Sequence, residues 1–309
     1  MGKMATPAHA PTIETTPIDS TRRRVLWIGS GDGLEFVIAR TGLAALADVV
    51  DAESPEAAVA SGVAGLAGQS TPTLAVLAAD RPARFSADDA VILSKAWPLM
   101  PIVSVASSLV DGRRRSGPPL PGIEEVPWHD LPGRCGWWLA ALEKGVPTSL
   151  GLPATSRREE RLLESIGGLQ SHAGEATPGH PATLILAQGA VSVVAARADD
   201  LEGLCDLLTV AGHRVLGRQI GRPQIDESAD TLVWDVGDLE AGDLEWLRLL
   251  AANRPGLFIV MLDSFPRGDS VAAALRAGAA AVLGRPVNLE ALAGSLMRRR
   301  TLRSAQSDR

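Results

Sequence analysis

Cysteine is scarce in this sequence: two in 309 residues, Cys135 and Cys205, far apart in the chain. That excludes a disulfide framework and a cysteine-rich zinc site, and it fits a reducing compartment, so a cytoplasmic location is expected. Long apolar runs are missing as well, and nothing approaches the ~20 residues needed to span a bilayer. The first 20 residues are polar and rich in Pro and Thr, without an apolar core of signal-peptide type, so no secretory signal is expected there. Basic charge is in deficit: 30 Lys and Arg against 36 Asp and Glu give a net charge of -6. A general nucleic-acid binder usually carries a basic face, so that class is set aside. Lysine itself is nearly absent, 3 against 27 Arg, which we read as compositional bias. The five histidines are scattered, without metal-ligand spacing, so no metal site is expected from them.

What is present is enough to build a core. Hydrophobic residues make up 46% of the chain and charged residues 21%, at a length suited to two domains. Residues 1–21 and 301–309 read as tails. From Val25 the text alternates apolar strand-like runs with helical ones. Val25–Ile28, Asp48–Ala52, Thr73–Ala78, Pro101–Ala106 and Ile123–Val126 are the expected strands of a first half, 22–145. Its helices are expected at Leu34–Arg40, with Gly42 beyond the end, at Pro55–Ala67 and at Gly133–Lys144. Residues 146–187 hold Pro147, Pro153, Pro178 and Pro181 and read as a linker with one short charged helix, Ser156–Ile166. A second half, 188–300, repeats the alternation. Strands are expected at Val191–Ala195, His213–Leu216, Thr231–Asp235, Leu257–Leu262 and Ala281–Leu283, and helices at Asp200–Ala211, Asp243–Asn253, Ser270–Ala277 and Asn288–Arg299. Strands that alternate with helices argue for an α/β fold with parallel sheets and right-handed crossovers.

Several short pieces of the second half carry a resemblance. They are the Asp230–Asp235 strand, Leu257–Leu262, the run Ala272-Ala-Ala-Leu-Arg-Ala-Gly278, and Arg285-Pro286-Val-Asn-Leu-Glu-Ala-Leu292. Together they resemble the receiver (CheY-like) domain of response regulators, over roughly residues 191–300. The resemblance implies two tandem flavodoxin-like domains with five-stranded parallel sheets, since 22–145 looks like a weaker copy. It implies that Asp235 matches the phosphoacceptor aspartate that ends the third strand. It also implies a pocket with an acidic pair for Mg²⁺ after the first strand, a Thr or Ser after the fourth, and a Lys before a Pro after the fifth.

The sequence departs from that pattern at each supporting position. Ala195 and Ala196 stand where the acidic pair belongs, with Asp199 and Asp200 a few residues later. Asp263 stands at the hydroxyl position, next to Ser264, and Arg285 at the lysine. Mg²⁺ needs oxygen ligands, which two alanines cannot give, and Asp263 adds repulsion where a phosphoryl group would sit. Arg285 is expected to pair with Asp235 and Asp263 in a forked, charge-assisted contact. In the first half Ala78 stands at the acceptor position and Ala106 at the hydroxyl, with Asp80 the nearest substitute.

Other candidates are weaker. Gly29-Ser30-Gly31-Asp32-Gly33, between a strand and a helix, could cradle a nucleotide on backbone N–H groups. The same text resembles the first motif of S-adenosylmethionine methyltransferases, with Asp51 or Glu53 placed to bind ribose, although Trp27 stands where an acid is usual. The alternative is a tight turn. His129 beside Asp130 could act as a general base or be a solvated loop. Cys135 and Cys205 read as small core residues. Trp137 and Trp138 lie ~100° apart on one helix, so one of them is expected at a partner surface or at a contact between the halves. The arginine runs 113–115 and 298–300 could touch phosphate or acidic partners, or be solvated.

The expectation from sequence is a non-enzymatic signalling protein of phosphorelay type. It would be a pseudo-receiver without an output domain and without cofactor, Mg²⁺ entering only if Asp235 is phosphorylated. A protein partner is expected, a histidine kinase or another regulator, at the surface Ser270–Arg299. Neither nucleic acid nor membrane is expected. The alternative is a methyltransferase-like or nucleotide-binding protein that uses Gly29, Gly31 and Gly33.

Overall fold

The computed structural model describes residues 23–60, 71–110, 120–146, 148–152, 155–157, 159–161, 163–164, 189–225 and 229–297. The expected tails, most of the 146–187 segment and both arginine runs lie outside them. Among the described residues ten strands form two five-stranded parallel sheets. The first sheet contains β1 (Arg24–Ile28), β2 (Asp48–Ala52), β3 (Leu74–Ala79), β4 (Ile102–Ala106) and β5 (Glu124–Pro127), in the order 2-1-3-4-5. The second contains β6 (Ala190–Ala195), β7 (Arg214–Ile220), β8 (Thr231–Gly237), β9 (Phe258–Asp263) and β10 (Ala281–Gly284). Its order, 10-9-8-6-7, is the same order read within the second half. Each half therefore has the flavodoxin-like, receiver-like topology, with the strand ends of one sheet edge offering a switch point for a site.

Helices fill the crossovers. In the first half they are α1 (Leu34–Ala44), α2 (Pro55–Ala60), α3 (Ala87–Ala96) and α4 (Leu131–Glu143). In the second they are α5 (Ala198–Val210), α6 (Ala241–Asn253), α7 (Gly268–Ala277) and a last helix, α8, at residues 289–297. The sequence reading missed α3. Its start is marked by a reciprocal cap, in which the Ser86 side chain accepts from the Asp89 N–H while the Asp89 carboxylate accepts from the Ser86 N–H. Only Leu93 is buried within α3, so hydrophobic periodicity gave little signal. The helix α1 continues through Gly42, contrary to expectation. A Cβ there would lie 2.7 Å from Pro132 Cγ, so the glycine lets α4 approach closely and does not end the helix.

The two halves share one core. The face of the first sheet under α1 and α4 forms a single apolar cluster with the face of the second sheet under α6 and α7, running from Val25 and Trp27 through Leu131 and Trp138 to Trp234 and Met261. The opposite faces have separate cores: Leu26, Leu77 and Leu93 in the first half, and Val193, Leu204 and Leu292 in the second. The helices α4 and α8 meet backbone to backbone. A Cβ on Gly294 would lie 1.8 Å from the Gly133 carbonyl oxygen, and one on Gly133 would lie 2.3 Å from that of Ala291. Both Trp137 and Trp138 are buried in the shared core, at 1% and 0% exposure, so of the two readings open from sequence the contact between the halves holds and the exposed partner surface does not. A helix packed on its own sheet on one side and on a second domain on the other has no exposed side for either ring.

Candidate functional site

The carboxyl ends of β6, β8, β9 and β10 bring the predicted pocket residues together. In-register pairing sets Ala195 beside Asp235, and Gly284 beside Asp263. Asp235 is 2% exposed. Burial pushes its pKa up, against lowering by the Gly237 N–H and Arg285, and nearby Asp200 pushes it further up. Asp235 Oδ1 accepts from the Gly237 N–H at 3.0 Å and lies 3.6 Å from Arg285 Nη1. Arg285 Nη2 donates to Asp200 Oδ1 at 2.5 Å. Arg285 thus joins the acceptor-position aspartate to the acid in the first turn of α5.

The expected fork from Arg285 to Asp235 and Asp263 is corrected in its second arm. No ion pair joins Arg285 to the Asp263 carboxylate. Asp263 meets Arg285 through the backbone, where the Arg285 N–H donates to the Asp263 carbonyl at 3.0 Å. Its side chain accepts from the Phe265 N–H at 3.2 Å. It is 4% exposed, and burial raises its pKa against the Phe265 and Leu239 N–H groups. Ser264 is exposed, its N–H donating to the Gly237 carbonyl at 2.5 Å. Among the described residues no group of three or more His, Cys, Asp or Glu side chains is placed to hold a metal ion. Mg²⁺ does not fit this pocket: Ala195 and Ala196 offer no ligand, and Asp200 is held by the arginine.

The first half closes the second against solvent on one side. His129, on the turn after β5, places its ring where a side chain on Gly284 would be, with Cε1 2.4 Å from the ideal Cβ position. The ring is fixed by Asp130 Oδ1 at 2.9 Å from Nδ1 and by an edge contact with Trp128. The same Asp130 oxygen accepts from the Gly284 N–H at 3.4 Å. The His-Asp pair is a buried interdomain contact and not a solvated loop. Sequence reasoning missed this because the contact partner lies 154 residues away.

The surface expected to receive a partner, Ser270–Arg299, is covered in part by the chain itself. Glu290 on α8 has no exposed surface and accepts from Arg134 Nη2 at 2.8 Å, Trp138 Nε1 at 3.0 Å and Ser149 Oγ at 2.9 Å. Arg134 also pairs with Glu124. Burial lowers the Arg134 pKa, but the charges and hydrogen bonds of Glu124 and Glu290 outweigh it and raise it overall. At the other end of the interface, a Cβ on Gly268 would sit 3.0 Å from the Glu35 Cγ of α1.

The remaining candidates have the following surroundings. In the first half Ala78 and Ala106 are buried, and Asp80 pairs with Arg81 and Arg84 at 3.5 and 3.8 Å. Gly29 has a positive φ of 108°, and the space beside it is filled by the Ala78 carbonyl and Phe85, at 3.2 and 3.3 Å from an ideal Cβ. A Cβ on Gly31 would meet Arg40 and Trp27, while Gly33 faces open space. Asp51 is engaged by Arg40, at 2.8 Å from Nε. Glu35 in the first turn of α1 adds negative charge where a phosphate would bind. Cys135 and Cys205 are buried free thiols, and burial pushes Cys135 up to about 12.

No protein-family model matches this chain, and no curated protein matches its sequence. Solved structures are similar over about a third of it. A pilus assembly-related protein from Burkholderia pseudomallei is 23% identical over 36% of this chain and 89% of its own, with a TM-score of 0.33. A pilus assembly protein from Burkholderia thailandensis is 26% identical over 36% of this chain and 98% of its own, TM-score 0.33. A response regulator from Thermotoga maritima is 19% identical over 36% and 97%, TM-score 0.32.

Proposed function

We propose that this chain is a signal-transduction protein of phosphorelay type, in which two receiver-like domains act by protein–protein interaction and the second is a pseudo-receiver. The observation that carries this reading is Arg285, held at 2.5 Å by Asp200 and 3.6 Å from Asp235. A guanidinium between two carboxylates supplies the positive countercharge that a bound metal ion would otherwise supply. Asp235 is then a structural carboxylate, and the domain is fixed in one state. The protein is proposed to be non-enzymatic and cytoplasmic, to need no cofactor, and to bind a histidine kinase or another regulator.

The test is intact-mass analysis after incubation with acetyl phosphate and Mg²⁺, with Asp235→Asn as control. An unchanged mass in a folded sample is expected. A Mg²⁺-dependent gain of one phosphoryl group, lost in Asp235→Asn, would overturn the reading and make the second domain a switch that recruits Asp199 or Asp200.

A further inference from the structure

The pocket around Arg285 and the contact between the two halves are built on consecutive residues. Arg285 holds Asp200 and Asp235 with its side chain and Asp263 with its N–H. Gly284, one residue earlier, gives its N–H to Asp130 of the first half and leaves its side-chain space to the His129 ring. On the neighbouring strand end, the chain runs from Asp263 through Phe265 to Gly268, where a Cβ would meet Leu34 and Glu35 of α1. Glu35 in turn accepts from both the N–H and the hydroxyl of Ser108, at 2.8 and 2.5 Å. Two of the four strand ends that border the pocket, those of β9 and β10, therefore touch the first half within five residues. The buried pair of Arg134 and Glu290 keeps the two bodies seated while these contacts are made.

From this juxtaposition we infer that the first half is the built-in reader of the second half's pocket, with the turn His129–Asp130 sensing the position of Arg285 through Gly284. This rests on the pseudo-receiver reading only for the identity of the pocket; the coupling needs no phosphoryl group. It follows from close packing: Gly284 cannot shift without moving the His129 ring, because no space separates them. His129 and Asp130 are positioning residues in this scheme. Coupling between two sites is reciprocal, so loosening either end must be felt at the other.

The experiment is hydrogen exchange followed by mass spectrometry on the full chain. Arg285→Ala is compared with wild type and with Arg222→Ala, which breaks a surface pair with Asp243 at 3.2 Å elsewhere in the second half. In Arg285→Ala, peptides covering residues 127–131 should exchange roughly tenfold faster, while Arg222→Ala leaves them unchanged. In the reverse direction, Asp130→Ala should speed exchange at residues 283–286. If Arg285→Ala does not fold, as judged by near-ultraviolet circular dichroism, Arg285→Lys replaces it and should give a smaller change of the same sign. Faster exchange at 283–286 with 127–131 unaltered would overturn the inference. The outcome is separable from the acetyl phosphate test, because no phosphoryl group is added here.

Discussion

Arg134 of the first domain and Glu290 of the second form an ion pair 2.8 Å long across the domain interface, and the glutamate has no exposed surface. The pair is not isolated. Trp138 Nε1 and Ser149 Oγ also donate to Glu290, and the Arg134 guanidinium lies 4.5 Å from the Trp138 ring centroid. Two ionised groups leave water here only because every oxygen of the carboxylate has a donor.

Removing one partner should therefore cost more than removing both. Arg134→Ala leaves Glu290 buried without its charge partner, and a loss of about 3–5 kcal/mol is expected. The double variant Arg134→Met with Glu290→Met should recover much of that loss, since neither charge of the pair is stranded. Urea denaturation of the single and double variants measures the difference; equal losses in both would show that the pair is not what the interface depends on.

Gly294 and Gly133 test the interface by shape. A side chain on Gly294 would meet the Gly133 carbonyl and the Trp137 N–H region of the first half, with no contact inside its own domain among the nearest atoms. Gly294→Leu should force the halves apart while each sheet stays folded. Small-angle scattering should show a larger radius of gyration with helical circular dichroism retained. Gly33→Ala, where nothing lies within 4 Å of the ideal Cβ, should leave the radius unchanged.

The Gly29 turn separates a structural from a ligand-binding role. With φ at 108° and Ala78 and Phe85 against it, Gly29→Ala should destabilise the first half by about 1–3 kcal/mol. Calorimetric titration of the wild-type protein with S-adenosylmethionine should show no binding heat. Saturable binding abolished by Gly31→Arg would restore the methyltransferase-like alternative.

His213 should dominate the acid limb of stability. It is 6% exposed, both ring nitrogens lack a hydrogen-bond partner, and burial lowers its pKa from 6.5 to about 4. Between those values the unfolded chain binds a proton that the folded chain does not. Stability is therefore full above pH 6.5, declines as the pH falls, and levels off below about 4, a loss of about 3 kcal/mol. Asp235 and Asp263 act in the opposite sense, because burial raises their pKa and the folded state takes up protons first. Denaturation across pH 4–7 for wild type and His213→Phe isolates the histidine: the variant should lose the decline.

The sequence by itself determined the elements and the strand ends. Apolar runs, most of them closed by glycine or aspartate, placed β1, β3, β6, β8 and β9 within a residue or two, because strand burial and turn chemistry are local properties. They also placed Asp235, Asp263 and Arg285 at one end of one sheet, since a parallel sheet aligns all its carboxyl ends. The pairing of Arg285 with Asp235 was legible as well, but the other partners came only with the tertiary structure. Asp200 reaches Arg285 across 85 positions, and Glu290 reaches Arg134 across 156, by the stacking of whole helices. Gly42 and Gly133 look like breaks in a helical text until a second helix is packed against them, and Trp137 and Trp138 cannot both be inside until a second domain covers the helix that carries them. A strand and helix pattern fixes which side chains share a face; which two faces are pressed together is decided by shape and charge between segments far apart in the chain.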